Sequence, residues 1–588
     1  MDSREHPATG TPVETAVDAH DAKPGRSRRE FLAASGIAVT GLAVGGVAGA
    51  LVGAGVAGEG SDPGYTPVAA RSEPGFDHLV VLMFENRSFD NLLGRLYEDV
   101  DPPHGQSFDG IAEGDYSNTA PDGTVVPAHV YNGPTDSVMS QPDPDPGETY
   151  PHVNTQLFNV VDPEANSHLT DRGAAPPFNA PADGRAATMS GFVTDYIINY
   201  RREKGGAEPS EAEYAIAMGG FSPDMLPVMS TLARNFAVYD AWHCAVPSQT
   251  FCNRSFFHAG TSHGFVTNDE NGGIAKWLDP AFTTTLFNRL EEAGISWRVY
   301  YDEDQLISLT GLIHAAATEK YWTSNFRGMK QFHADVAKGD LPAYSFIEPR
   351  MIFNHNDMHP PVGRLRESSV DGKQVVDSAL SDVRAGEVLL SEVYTSIKTS
   401  ASKSGSNAMN TALVVTFDEH GGTFDHVPPP SATPPDEKPR PGEMGFTFNR
   451  LGCRVPALVV SAYTPRGAVI SDEMHHGAIA STLTALHKIK PLSKRNEKAR
   501  TIANALTLTT PRQPALWPDT NPAYVPPNTE VKGKAHESDA HHPLTPPAKG
   551  VLGLLLAKYE PGRPVPETYG DAYDVIVQHG KGLFGVTD

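Results

Sequence analysis

The sequence predicts an α/β protein with a mostly parallel central sheet, helices on both faces, long loop insertions and a C-terminal extension. Three observations carry this. Short β-branched and apolar runs alternate with helical patterns along most of the chain, the order that builds parallel sheets. Two of the runs, His78–Phe84 and Leu413–Phe417, are apolar enough to read as buried strands. Both empty directly into oxygen-rich clusters, Glu85-Asn86 and Asp418-Glu419-His420. Strand ends of this kind are where open α/β sheets place their ligands.

Composition bounds the function. A chain of 588 residues with 54 Gly and 50 Pro suits one large α/β domain with elaborations, or three to four average ones, with long loops. A formal charge of −24 argues against nucleic acid as a partner, because no basic surplus exists to neutralise phosphates. One small phosphate ester, held by a local metal, stays open. Cys244, Cys252 and Cys453 are too few for a disulfide framework, and none lies in a C-x-x-C pair.

The N-terminus carries Ser27-Arg28-Arg29-Glu30-Phe31-Leu32 and then a charge-free Ala/Gly/Val stretch to about Gly58. This resembles a twin-arginine signal, which exports a folded protein. Its many glycines and modest hydrophobicity favour a signal segment over a membrane span. The expected division is therefore 1–58 signal region, 71–509 catalytic domain and 510–588 C-terminal extension or cap. The expected destination is the periplasm, the cell surface or the medium.

In chain order, the strand His78–Phe84 runs into Glu85-Asn86-Arg87-Ser88-Phe89-Asp90-Asn91. Glu85 and Asn86 read either as a helix-capping pair or as metal ligands. A second strand of the same grammar at 413–417 favours the latter, since two such ends could meet at one edge of a parallel sheet. Residues 101–181 read as loops or an insertion, with Glu148 and His152 expected in solvated polar loop. Met189–Val193 and the following Tyr196–Arg201 read as helical. Met225–Asn235 has an amphipathic helix pattern, and Phe236–Asp240 reads as a short strand.

Thr250 precedes the expected helix Phe251–Ala259. Its hydroxyl is either a helix cap or a nucleophile at an anion-binding helix start. Helices at 284–294, 332–338, 386–398 and 478–486 alternate with strands at 295–301, 343–347 and 455–461. Beyond Thr510 the chain is Pro-rich, with one amphipathic helix near Val551–Lys558.

Six segments in consistent order, ENRSFDN (Glu85–Asn91), TFCNRSFFHAGTSHG (Thr250–Gly264), SFIEP (Ser345–Pro349), NDMHPP (Asn356–Pro361), DEHGGTFDHVPPP (Asp418–Pro430) and RVPALVVSAYTP (Arg454–Pro465), give the chain a resemblance. It resembles the bacterial phosphoesterase family that contains the non-specific phospholipases C and certain acid phosphatases, over nearly all of Phe76 to Leu506.

The resemblance implies an alkaline-phosphatase-like fold and a hydroxyl nucleophile bound to a divalent metal. It implies Glu85, Asn86, Asp418 and Glu419 as metal ligands and Thr250 as nucleophile. His359 and His476 fall where the family holds phosphate or assists the leaving group. Three departures stand out: Cys252 replaces a usual proline, Glu148 replaces a histidine after Asp-Pro-Gly, and Met474-His475-His476-Gly477 replaces Asp-His-Thr-Ser. His152 is a nearby substitute for the histidine missing at 148.

The mechanism this implies is attack by a Thr250 alkoxide on phosphorus. Asn253 or Arg254 stabilises the equatorial oxygens, His359 protonates the leaving oxygen, and water hydrolyses a phosphothreonine. The expected activity is that of an exported phospholipase C making diacylglycerol and a phosphorylated headgroup, with transient contact to a membrane surface. A phosphomonoesterase with the same core is the nearest alternative. A non-catalytic phosphate- or lipid-binding surface protein is a more distant one. A sulfatase is disfavoured because no cysteine stands in a Cys-x-Pro-x-Arg setting.

Overall fold

The computed structural model describes residues 68–585 except 72, 74, 112–114, 134–137, 169–172, 182–183, 270–271, 354, 362–366, 371–372, 377–380, 437–439 and 524–543. The twin-arginine motif and the stretch after it lie outside the described residues.

Eight strands form the central sheet: β1 (His78–Phe84), β2 (Ala237–Tyr239), β3 (Trp297–Tyr301), β4 (Phe326–Gly328), β5 (Tyr344–Glu348), β6 (Thr411–Phe417), β7 (Ala457–Val460) and β8 (Ala468–Ile470). Their spatial order is β8-β2-β7-β6-β1-β5-β3-β4. Neighbours pair parallel except β7, which runs antiparallel to β6 and β2.

The expected adjacency holds: β1 and β6 lie side by side in register from His78 opposite Thr411 to Phe84 opposite Phe417. Leu79 to Phe84 are all fully buried. Consecutive strand side chains point to opposite faces, so both faces of this strand are covered.

The helices used below are α1 (Phe89–Leu92), α2 (Tyr150–Phe158), α3 (Phe192–Glu203), α4 (Pro227–Asn235), α5 (Thr250–Ala259), α6 (Leu286–Glu292), α7 (Met329–Lys338), α8 (Val383–Thr399), α9 (Gly477–His487), α10 (Pro546–Tyr559) and α11 (Tyr569–Gly580). One set, α4 and α7 against α8, packs together, and α5 packs with α6 and α9 in another. Among the described residues no helix is long and apolar enough to cross a membrane.

Two regions differ from the sequence reading. Residues between 111 and 218 build a second small core from α2, α3 and their connections, with Val153, Leu157, Phe192, Val193 and Tyr196 buried in it. Glu148 and His152 are therefore buried, not in solvated loop. At the C-terminus the helix is longer than expected, and its Val551, Leu552, Leu554, Leu555 and Leu556 are all buried. A second helix, α11, follows it and packs against it.

Candidate active site

The turns after β1 and β6 form one floor. Glu85 and Asn86 leave β1 fully buried, and Asn86 takes a left-handed conformation with φ 55° that asparagine tolerates better than most residues. Its backbone N–H donates to Asp418 Oδ1 at 3.1 Å, tying the two turns. Gly421 and Gly422 explain themselves here. Both have positive φ, 61° and 62°, and a Cβ would lie 2.0 Å from the Asn86 carbonyl oxygen and 2.4 Å from that of Gly147. Only glycine lets these three segments close together.

Thr250 is the first residue of α5, yet its hydroxyl does not cap that helix. The N-cap is Gln249, and no side chain caps the backbone there. Thr250 Oγ1 instead reaches Glu85 Oε2 at 3.3 Å and Asn86 Oδ1 at 3.4 Å. One turn on, Arg254 donates to Glu85 Oε1, and its Nε lies 3.4 Å from Asp418 Oδ2.

The donor set fits a divalent cation. Asp418 Oδ2 and Glu419 Oε1 are buried and lack hydrogen-bond partners. Burial pushes the Glu85, Asp418 and Glu419 carboxyls up, Arg254 opposes this for the first two, and Glu148 and Asp418 reinforce it for Glu419. Buried carboxylates in excess of nearby cations are costly unless a cation joins them. Oxygens from three carboxylates, an amide and a hydroxyl suit a hard ion.

A second group borders the first. Asp145, Glu148 and His359 present ligand atoms within 4.8 Å of one another, all buried. Glu148 Oε1 accepts from Asn86 Nδ2 at 2.6 Å and lies 3.4 Å from His359 Nε2. His359 Nδ1 donates to the Pro360 carbonyl at 2.5 Å, which leaves Nε2 facing the carboxylates. Burial alone would lower this imidazole, but Asp145 and Glu148 outweigh it and hold the ring well above its usual range. The sequence reading had no role for Asp145; its signal was the Asp-Pro-Gly-Glu spacing, which puts both carboxylates on one short turn.

Three expected site residues are engaged by protein neighbours. His152 Nδ1 bonds Asp195 Oδ1 at 2.7 Å, and Asp195 accepts from Gln156, which in turn holds His420. His152 is thus linked to Glu419 through that chain, since His420 Nδ1 lies 3.4 Å from Glu419 Oε2, and its ring also lies against Gly147. Asn253 uses both ends of its amide on loop 246–249, accepting from Val246 N and donating to the carbonyls of Val246 and Ser248. Its amide is thus fully engaged by the loop that leads into Thr250. His476 accepts from Trp242 Nε1 at 3.3 Å through Nδ1 and donates to the Asp418 carbonyl at 2.6 Å through Nε2. Burial lowers its pKa to about 4, so it is a neutral strut under Asp418.

Asp425 and His426 act beneath this floor. Arg454 bonds Asp425 at 2.9 Å and Asp90 at 2.8 Å, while His426 Nδ1 bonds Asp90 at 2.6 Å and its Nε2 bonds Asp109 at 3.1 Å. Burial opposes protonation of His426, but hydrogen bonds to Asp109 and Asp90 outweigh it and push its pKa up to about 9.

An unfolded histidine titrates near 6.5, at about its reference value. Below that pH both states hold the proton and the stabilisation is complete. It falls as pH rises and is lost above about 9. Wild-type stability measured by urea unfolding should therefore drop more between pH 6 and 9.5 than that of His426→Gln. Equal slopes would remove this role.

Comparison with known proteins places the chain in a family. Residues 76–490 match the model of the Phosphoesterase family. The chain is 31% identical to non-specific phospholipase C5 of Arabidopsis thaliana over 493 residues, 81% of this chain and 82% of that protein. It is 26% identical to phospholipase C B of Mycobacterium tuberculosis, over 78% of this chain and 81% of that one. A solved protein of the alkaline phosphatase superfamily from Vibrio parahaemolyticus aligns over 47% of this chain and 65% of its own, at 13% identity and a TM-score of 0.27. With the match spanning β1 through α9 and the paired strand ends at its centre, the chain belongs to the Phosphoesterase family and is a hydrolase of phosphoric esters.

Proposed function

We propose that the protein is a phospholipase C-like phosphodiesterase that releases diacylglycerol and a phosphorylated headgroup, with Thr250 as its nucleophile. One observation carries the reading. The Thr250 hydroxyl turns from its own helix to sit between Glu85 Oε2 and Asn86 Oδ1, in a chain whose relatives named phospholipases C match most of its length.

A divalent cation held by Glu85, Asn86, Asp418 and Glu419 would supply the positive field that favours an ionised hydroxyl and the charge spread over the phosphoryl oxygens. Thr250 attacks phosphorus in line with the departing alcohol, and the start of α5 adds its own dipole to the phosphoryl side. Arg254 keeps Glu85 and Asp418 in place and offsets part of their charge. His359, held protonated by Asp145 and Glu148, gives its Nε2 proton to the leaving oxygen. Water then hydrolyses the phosphothreonine.

The Ser27–Leu32 motif supports export of the folded chain by the twin-arginine machinery, with 71–509 as the catalytic domain and transient contact with a lipid surface. The protein should then be recovered outside the cytoplasm of its producing cells.

Purified protein given phosphatidylcholine vesicles should release diacylglycerol and phosphocholine, and a chelator should remove that activity. Turnover of a phosphomonoester with none of the diester would replace this reading by a phosphatase. Full activity after chelation, with no metal bound, would end the cation assignment.

A further inference from the structure

The loop carrying His359 is held by the C-terminal helices. Asp357 is its hub and is fully buried. Its carbonyl accepts from Glu85 N at 2.8 Å, Oδ1 accepts from His359 N at 3.2 Å, and Oδ2 lies 2.9 Å from His355 Nδ1. One residue thus fixes the backbone of Glu85, on the Thr250 side, and of His359, on the leaving-group side.

His355 is itself held from the far end of the chain. Its Nε2 lies 3.1 Å from the Tyr569 hydroxyl, on α11, and 3.2 Å from Thr545 Oγ1, the N-cap of α10. Thr545 Oγ1 also accepts from Ala548 N at 3.4 Å and from the Tyr569 hydroxyl at 3.4 Å, so the two hydroxyls and His355 form one cluster. The Asp357 carboxylate can only accept, so His355 Nδ1–H donates to it, and Nε2 is left facing the two hydroxyls.

The loop needs such support. Met358, between Asp357 and His359, is left-handed with φ 68°, a conformation unfavourable to a residue that is not glycine. Arg87 Nε fastens its carbonyl at 2.7 Å. The hydroxyls of Thr545 and Tyr569 brace the same loop from the other side.

We propose that Thr545 and Tyr569 are positioning residues of the reaction, acting through His355 and Asp357 to hold Glu85 and His359 in register across the bond that breaks. The proposal rests on the phosphodiesterase reading. It gives the C-terminal helices a part in turnover beyond closing the core.

The test uses the full chain and a soluble phosphodiester. His355→Ala, which leaves Asp357 buried without that donor, should lower kcat about 30- to 100-fold with KM within about twofold, in the range of lost orienting contacts. His355→Asn puts an amide donor where Nδ1 was and should recover most of the loss. Thr545→Val with Tyr569→Phe should fall between them.

Val575→Ala is the control, since it loosens buried packing of α11 without touching a hydroxyl. It should lower the melting temperature and leave kcat unchanged. Wild-type kcat in His355→Ala, or an equal kcat loss in Val575→Ala at matched stability, would overturn the proposal. Thr250→Ala run alongside separates the two failures. If it is inactive while His355→Ala is not, the positioning role falls and the reaction stands. If wild type cleaves no phosphodiester, the reaction itself falls.

Discussion

Thr250→Ala is expected to lower phosphodiester turnover by about 10⁴-fold or more, the scale seen when a covalent nucleophile is removed. The fold should survive. Thr250 is not the cap of α5, and alanine is a better helix former, so the loss is confined to two contacts of 3.3 and 3.4 Å. Thr250→Ser keeps a hydroxyl at the same place and should retain measurable turnover. Steady-state rates on a diester, circular dichroism for the fold, and mass spectrometry of rapidly quenched wild type for an added phosphoryl group are the readouts. Activity of Thr250→Ala within tenfold of wild type would refute the nucleophile. The same loss with collapsed secondary structure would make Thr250 a structural residue instead.

The largest stability effect should come from Arg454→Leu, at about 3–5 kcal/mol, because it strands charges that have no water to turn to. Arg454 is fully buried, bonds both Asp425 and Asp90, and donates to the carbonyls of Asp109 and Asp240 at 2.7 and 2.8 Å. Its guanidinium also lies 4.6 Å over the Phe89 ring. Removing it strips Asp425 of its cation and leaves Asp90 with His426 alone, beneath the turns that carry Glu85 and Asp418.

Urea unfolding is the measurement. Adding Asp90→Asn to Arg454→Leu should recover part of the loss, since contacting residues in one network are not additive. A single-mutant cost below about 1 kcal/mol would place Arg454 with ordinary exposed ion pairs.

How much of this was legible in the chain depended on range. The strands were visible because continuous apolar runs leave a strong local signal, and β1 beside β6 followed from two strand ends of the same grammar. Strands β4 and β8 were missed; at three residues each they are too short for periodicity. The burial of Glu148 and His152 was missed as well. Their Pro- and Asp-rich surroundings read as solvent-exposed loop, while a separate small core built from α2 and α3 encloses them.

By itself the sequence determined the α/β class, two apolar strands that each empty into metal-capable oxygens at Glu85-Asn86 and Asp418-Glu419, and Thr250 as a hydroxyl at a helix start. These are local patterns, and local chemistry decides them. Only the tertiary structure decided that the Thr250 hydroxyl leaves its own helix uncapped and meets Glu85 and Asn86, because that depends on where those residues lie across a gap of 164 residues. It also turned Asn253 and His476 into supports, since every hydrogen-bonding atom they show is engaged by a neighbour that sequence spacing does not reveal. And it brought Thr545 and Tyr569 to His355, roles that only long-range folding can assign to a hydroxyl.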